Sequence, residues 1–129
     1  MSLPAPDTLP RVFAAAWGAR DAEAIAALFA EDADLLTLTG AWAEGRAAIA
    51  AILAGELAGA FLRARLVTGR TKLRALGQDG AVLMQRFVLS GVRTEDGQDA
   101  GRIGTVLSAA LQPGPEGWEI ASASFCIES

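Results

Sequence analysis

The chain has 129 residues, with 11 Lys and Arg against 15 Asp and Glu, no histidine, no tyrosine and a single cysteine. A net charge of −4 gives no general attraction to nucleic-acid backbones or anionic membranes. Cys126 alone, without histidine, allows neither an internal disulfide nor an ordinary zinc site, so no metal or cofactor is expected. With 52% hydrophobic and 20% charged residues, the composition is that of a folded domain, taken as one unit over 1–129, which can bury roughly two thirds of its unfolded surface.

The opening Met1-Ser2-Leu3-Pro4-Ala5-Pro6 lacks the basic segment and apolar run of a secretory signal, and no apolar run is long enough to span a bilayer. A cytoplasmic, unprocessed protein is therefore expected. Asp7 or Thr8 caps a first helix with Leu9, Val12, Phe13, Ala16 and Trp17 at helical spacing. Gly18 ends it, and Asp21 caps a second helix with Ala22, Ile25, Leu28 and Phe29 on its apolar stripe, closing at Glu31-Asp32. Asp34 to Thr39 reads as a strand, Gly40 opens a turn carrying Trp42, and Gly45-Arg46 leads into a third helix that turns Ile49, Ile52, Leu53 and Leu57 inward.

Beyond Gly59 the period changes to that of strands. Four are expected: Phe61 to Leu76, Ala81 to Val92, Ala100 to Leu111 and Trp118 to Ile127, separated by Gly-, Asp- and Pro-containing turns. The order helix, helix, strand, helix and then an antiparallel run is an α+β arrangement.

Turn positions set the register. A two-residue Asp96-Gly97 turn puts Arg86 opposite Leu107 and Val88 opposite Thr105; a turn at Gln78-Asp79 puts Thr71 opposite Arg86 and Leu73 opposite Met84. Placing Leu111 opposite Trp118 brings Leu107 to Ser122 and Thr105 to Ser124. One face then collects Thr71, Met84, Arg86, Val88, Thr105, Leu107, Ser122 and Ser124 under the helices. The other carries Leu83, Gln85, Phe87, Leu89, Val106, Ala123 and Phe125. Both faces are largely apolar, three helices can cover only one, and a homodimer through the outer face is expected to cover the other. A slip of one residue would exchange the faces of a strand.

Several of these residues carry a family resemblance: Trp17, Asp21, Leu28-Phe29-Ala30-Glu31-Asp32-Ala33-Asp34, Gly40 with Trp42, Gly45-Arg46 with Ile49, and Trp118-Glu119-Ile120-Ala121. Together they resemble the SnoaL-like group of the NTF2-like superfamily, most of all its SgcJ/EcaC-type members. The resemblance implies an NTF2-like α+β cone, three helices on a curved and mainly antiparallel sheet, commonly dimeric, in a superfamily that holds isomerases, cyclases, dehydratases and binding domains without catalysis. This chain departs from the pattern at Leu53, where relatives often have a polar residue, and at Ser124-Phe125-Cys126, where many have a His- or Gln-Asn-Thr-like ending.

The expected pocket between helices and sheet takes a small, mostly apolar or aromatic molecule. Its lining would be Trp17, Phe29, Trp42, Leu53, Leu57, Thr71, Met84, Val88, Thr105, Leu107, Ser122 and Ser124. If a reaction occurs there, it is isomerase- or cyclase-type proton transfer without metal, with Asp34 as base and Arg86 stabilising an oxyanion. Competing readings stand beside each residue. Arg86 could pair with an internal acid such as Asp34, Asp32 and Asp34 could pair with Arg46 or cap the turn, and the aromatic residues could be plain core. Arg63, Arg65, Arg70, Lys72 and Arg74 read as a solvated edge strand, and Cys126 as a small core residue. The alternative function is a non-catalytic dimerisation or accessory module.

Overall fold

The computed structural model describes residues 3–128. A short helical turn, Pro6–Thr8, runs into α1, Leu9–Gly18, whose Leu9, Phe13 and Trp17 recur every four residues and are all buried. Pro6 and Pro10 sit in first turns, where a missing N–H costs nothing. Arg20 then adopts a left-handed φ of 59°. Its guanidinium donates to the carbonyl oxygens of Trp17, Leu62 and Ala64 and lies 5.2 Å from the Trp17 ring centroid, tying the first helix to the connection beyond the third. Asp21 caps α2, Ala22–Ala26, by accepting the Ala24 N–H at 3.0 Å, as its sequence position predicts.

The second helix ends at Ala26, earlier than the expected Glu31-Asp32. Phe29–Leu36 forms β1 instead, because Phe29 pairs with Ile120 and the Leu28 carbonyl accepts the Ile120 N–H at 2.8 Å. Here tertiary pairing overrides a local helical pattern. The expected Trp42 turn contains a short strand, β2, Trp42–Glu44; Gly45, at φ 90°, then starts α3, Arg46–Ala58. The remaining strands are β3, Arg65–Ala75, β4, Ala81–Ser90, β5, Ile103–Pro113, and β6, Trp118–Ile127.

The six strands form one open sheet in the order β2-β1-β6-β5-β4-β3, antiparallel at every pairing except the parallel β1 and β6. The three helices pack on one face, with the core between. The α+β architecture is thus the one expected, but the register differs at each hairpin. Gly97, at φ 82°, closes a three-residue turn in which the Thr94 N–H donates to the Gln98 carbonyl and the Gly97 N–H to the Thr94 carbonyl. The Thr94 hydroxyl and the Gln98 amide beside Asp96 hold its carboxyl below the usual range. This third turn residue puts Arg86 opposite Val106, not Leu107. Gly77-Gln78-Asp79 likewise makes an odd-numbered connection, so Thr71 meets Gln85 and Leu73 meets Leu83. On β6 Leu111 faces Ile120, and an irregularity at Ala121 then brings Leu107 to Phe125 and Ala110 to Ser122.

These slips exchange the faces of β4 and of most of β6. Ala81, Leu83, Gln85, Phe87 and Leu89 point into the core and are buried, while Val82, Met84, Arg86 and Val88 point away from the helices. On β5 the expected inward residues, Thr105 and Leu107, are indeed buried. Gln85 is a polar residue with no solvent exposure, held by the break in β3 between Thr68 and Thr71. Its amide donates to the Gly69 and Arg86 carbonyls at 3.1 and 2.8 Å, and its oxygen accepts the Thr71 hydroxyl. Gln85→Leu should cost about 1–3 kcal/mol in urea unfolding, because it removes the donor that holds the Gly69 and Arg86 carbonyls; a neutral result would mean that water reaches them.

Candidate functional site

Two groups of the expected site residues part company across the sheet. Trp17, Phe29, Leu53, Leu57, Thr105 and Leu107 belong to the interior, all less than one-tenth exposed. There they are packed, not lining open space. Phe13 lies 5.9 Å from Phe87 and 5.6 Å from Phe125, Phe87 lies 6.0 Å from Phe125, and Trp17 lies 5.9 Å from Phe61, all between ring centroids. The edge-to-face contacts of Phe125 with Phe13 and Phe87, and the stacking of Phe13 on Phe87, add to what burial alone contributes. The Thr105 hydroxyl is spent on the Phe87 carbonyl at 2.9 Å. Thr71 shares the face of Gln85 but lies in the exposed part of β3.

Asp34, Trp42, Met84, Arg86, Val88, Ser122 and Ser124 are on the opposite, outer face. Here Asp34 is half-buried and accepts the indole N–H of Trp42 at 3.1 Å, beside Leu36, Ser122 and Ser124. Trp42 itself is 67% exposed. Arg86 lies three strands away, and its partner is Glu128, which takes Nε and a terminal nitrogen at 2.8 and 3.0 Å. Asp34 and Arg86 therefore do not converge. Arg46 does not pair with Asp32 or Asp34 either; it donates twice to the Phe29 carbonyl, at 3.0 and 2.8 Å, anchoring α3 to β1. Cys126 is exposed on the outer face, not a core residue. Because the Arg86–Glu128 side chains are 54% and 37% exposed, Arg86→Ala should lower stability by less than about 1 kcal/mol in chemical denaturation; a loss of several kcal/mol would mark the pair as structural.

What the outer face offers is a surface. Its centre is built from the small side chains Ser108, Ala110, Ser122 and Ser124. Large apolar groups flank it, Val82 and Met84 on one side, Leu36 and Trp42 on the other, and they are 36%, 53%, 36% and 67% exposed. On the β3 side Arg70, Lys72, Met84, Arg86 and Val106 surround a cavity of about 180 Å³. Lys72 and Arg74 face this side on an edge strand, as the sequence suggests for the basic series. Among the described residues no three His, Cys, Asp or Glu side chains come together in a metal-binding group, and no helix is long and apolar enough to cross a membrane.

The sequence profile of the SnoaL-like domain matches residues 11–110. The chain belongs to the SnoaL-like family. Solved structures place this SnoaL-like protein among NTF2-like, cystatin-like folds. A Caulobacter vibrioides protein with a cystatin-like fold is 18% identical, with a TM-score of 0.84 over 95% of this chain and 87% of that one. An NTF2-like protein of Novosphingobium aromaticivorans is 23% identical, with a TM-score of 0.75 over 94% of this chain and 77% of that one. The hexachlorocyclohexane dehydrochlorinase LinA, type 2, is 13% identical, with a TM-score of 0.83 over 95% of this chain and 82% of that one. At such identities the likeness is one of fold. No curated protein matches the SnoaL-like sequence significantly.

Sequence reasoning missed Gln85 and Glu128. Gln85 was legible as a polar residue in an otherwise apolar alternation, Leu83-Gln85-Phe87-Leu89, which in a buried strand asks for a partner. Glu128, near the end of the chain, has no local signal at all.

Proposed function

We propose that this SnoaL-like protein is a non-catalytic homodimeric module whose working surface is the outer face of its sheet. The observation that carries this reading is the separation of Asp34 and Arg86. Both lie on the outer face, three strands apart, each already engaged by Trp42 or Glu128. Acid–base chemistry requires its groups within hydrogen-bond reach of one substrate, and these two share none. The interior supports the same reading, since Phe13, Trp17, Phe29, Phe61, Phe87 and Phe125 occupy the space an apolar ligand would need. Likeness to a dehydrochlorinase at 13% identity concerns the scaffold and brings no reaction with it.

The reading is tested by titrating the protein with a naphthalene carboxylate, an apolar anion of the kind an internal pocket with an arginine would take. No saturable binding is expected. Saturable binding abolished by Arg86→Ala or Asp34→Asn, with stability unchanged, would restore the small-molecule reading with its proton-transfer chemistry.

A further inference from the structure

The outer face carries a pattern that selects one way for two copies to meet. Register partners line up in rows across the sheet. One row reads Trp42, Leu36, Ser124, Ser108, Met84 and Lys72; the next reads Glu44, Asp34, Ser122, Ala110, Val82 and Arg74. Each row has two small residues at its centre, a large apolar residue or Asp34 outside them, and ends of opposite character. Glu44 and Asp34, with Trp42, lie at the β2 and β1 end; Lys72, Arg74 and Arg70 lie at the β3 end.

A twofold interface must be self-complementary, with residue i meeting j and j meeting i. Two face-to-face sheets allow two simple axes. An axis across the strands lays β3 on the partner's β3, so cations face cations. An axis along the strands, midway between β5 and β6, reverses every row onto itself. Lys72 and Arg74 then face the partner's Trp42 and Glu44, Met84 faces its Leu36, Val82 faces its half-buried Asp34, whose carboxylate is already bonded by Trp42, and the small centres meet. We infer that this SnoaL-like chain dimerises about an axis parallel to its strands, so that the basic β3 edge of each copy receives the Trp42 and acidic edge of the other. The inference rests on the dimeric reading above and adds which groups meet.

Size agrees as well as charge. The cavity of about 180 Å³ framed by Arg70, Lys72, Met84, Arg86 and Val106 is commensurate with one aromatic side chain, since a cavity of about 150 Å³ holds benzene. The partner's Trp42 indole, 67% exposed with its N–H bonded to Asp34, is the aromatic group that this axis presents to that cavity. Guanidinium groups and a methionine are favourable neighbours for an indole, and buried Trp and Arg are the residues that most often anchor an interface.

Cross-linking decides the axis. In a Cys126→Ser background, the double variant Leu36→Cys with Met84→Cys should form a covalent dimer with a short thiol cross-linker, while each single variant should not. Efficient self-linking of either single variant would overturn the axis while leaving the dimer standing. A chain that stays monomeric in sedimentation at all concentrations would overturn the dimeric reading and the axis together. Charge reversal is the second measurement. Lys72→Glu with Arg74→Glu should weaken dimerisation about tenfold or more, because the partner's Glu44 then faces a carboxylate and its Trp42 loses a neighbouring cation; an unchanged dimer affinity would contradict the pairing.

Discussion

Phe87→Ala should lower unfolding free energy by about 3–5 kcal/mol, whereas Met84→Ala, three residues earlier on the same strand, should cost less than about 1 kcal/mol in the isolated subunit. Phe87 has no exposed surface and forms a triangle of contacting rings with Phe13 and Phe125. Its removal leaves a ring-sized void among side chains that cannot all collapse into it. Met84 is 53% exposed and gives up little. Against a total stability of about 5–15 kcal/mol such a loss is a large fraction, which urea denaturation would measure. Equal costs at the two positions would mean that the space between helices and sheet is not filled as described.

In the proposed dimer, Ser108→Arg should abolish association and leave a monomer with its fold intact. Ser108 lies in the centre of the outer face, opposite Ser124 and Met84, and the proposed twofold axis near it would bring the substitution into the interface twice. The long cationic side chain prevents the sheets from approaching to about 10 Å and buries charge without a partner. A loss of dimer affinity of several hundredfold or more is expected at that cost, read by light scattering after gel filtration, with an unchanged circular-dichroism spectrum. A variant that remained dimeric would place the contact elsewhere on the subunit.

The first helix, the start of the second and the order of the elements apart from β2 could be read from the sequence because their signals are local. The spacing of Leu9, Phe13 and Trp17 and the Asp21 cap need only their neighbours. The β1 start at Phe29 was hidden because its cause is a pairing with Ile120, far along the chain. The inward faces of β4 and β6 were hidden for a different reason. Asp-Gly signals a hairpin but does not fix whether the turn holds two residues or three, and one residue moved Arg86 and Met84 outside and Phe87 and Leu83 inside. Both faces being apolar, hydropathy could not correct the error. That same two-faced pattern did make an apolar outer surface legible, although the residues assigned to it on β4 were those of the core.

Sedimentation equilibrium of the unmodified protein, from nanomolar to high micromolar concentration, tests the central claim most directly. The account predicts a dimer that dissociates reversibly to a folded monomer and is weakened by added salt, since opposed charges at the row ends contribute to it. A folded monomer throughout that range would contradict it, leaving the exposed Trp42, Met84 and Val82 without the second copy proposed to cover them.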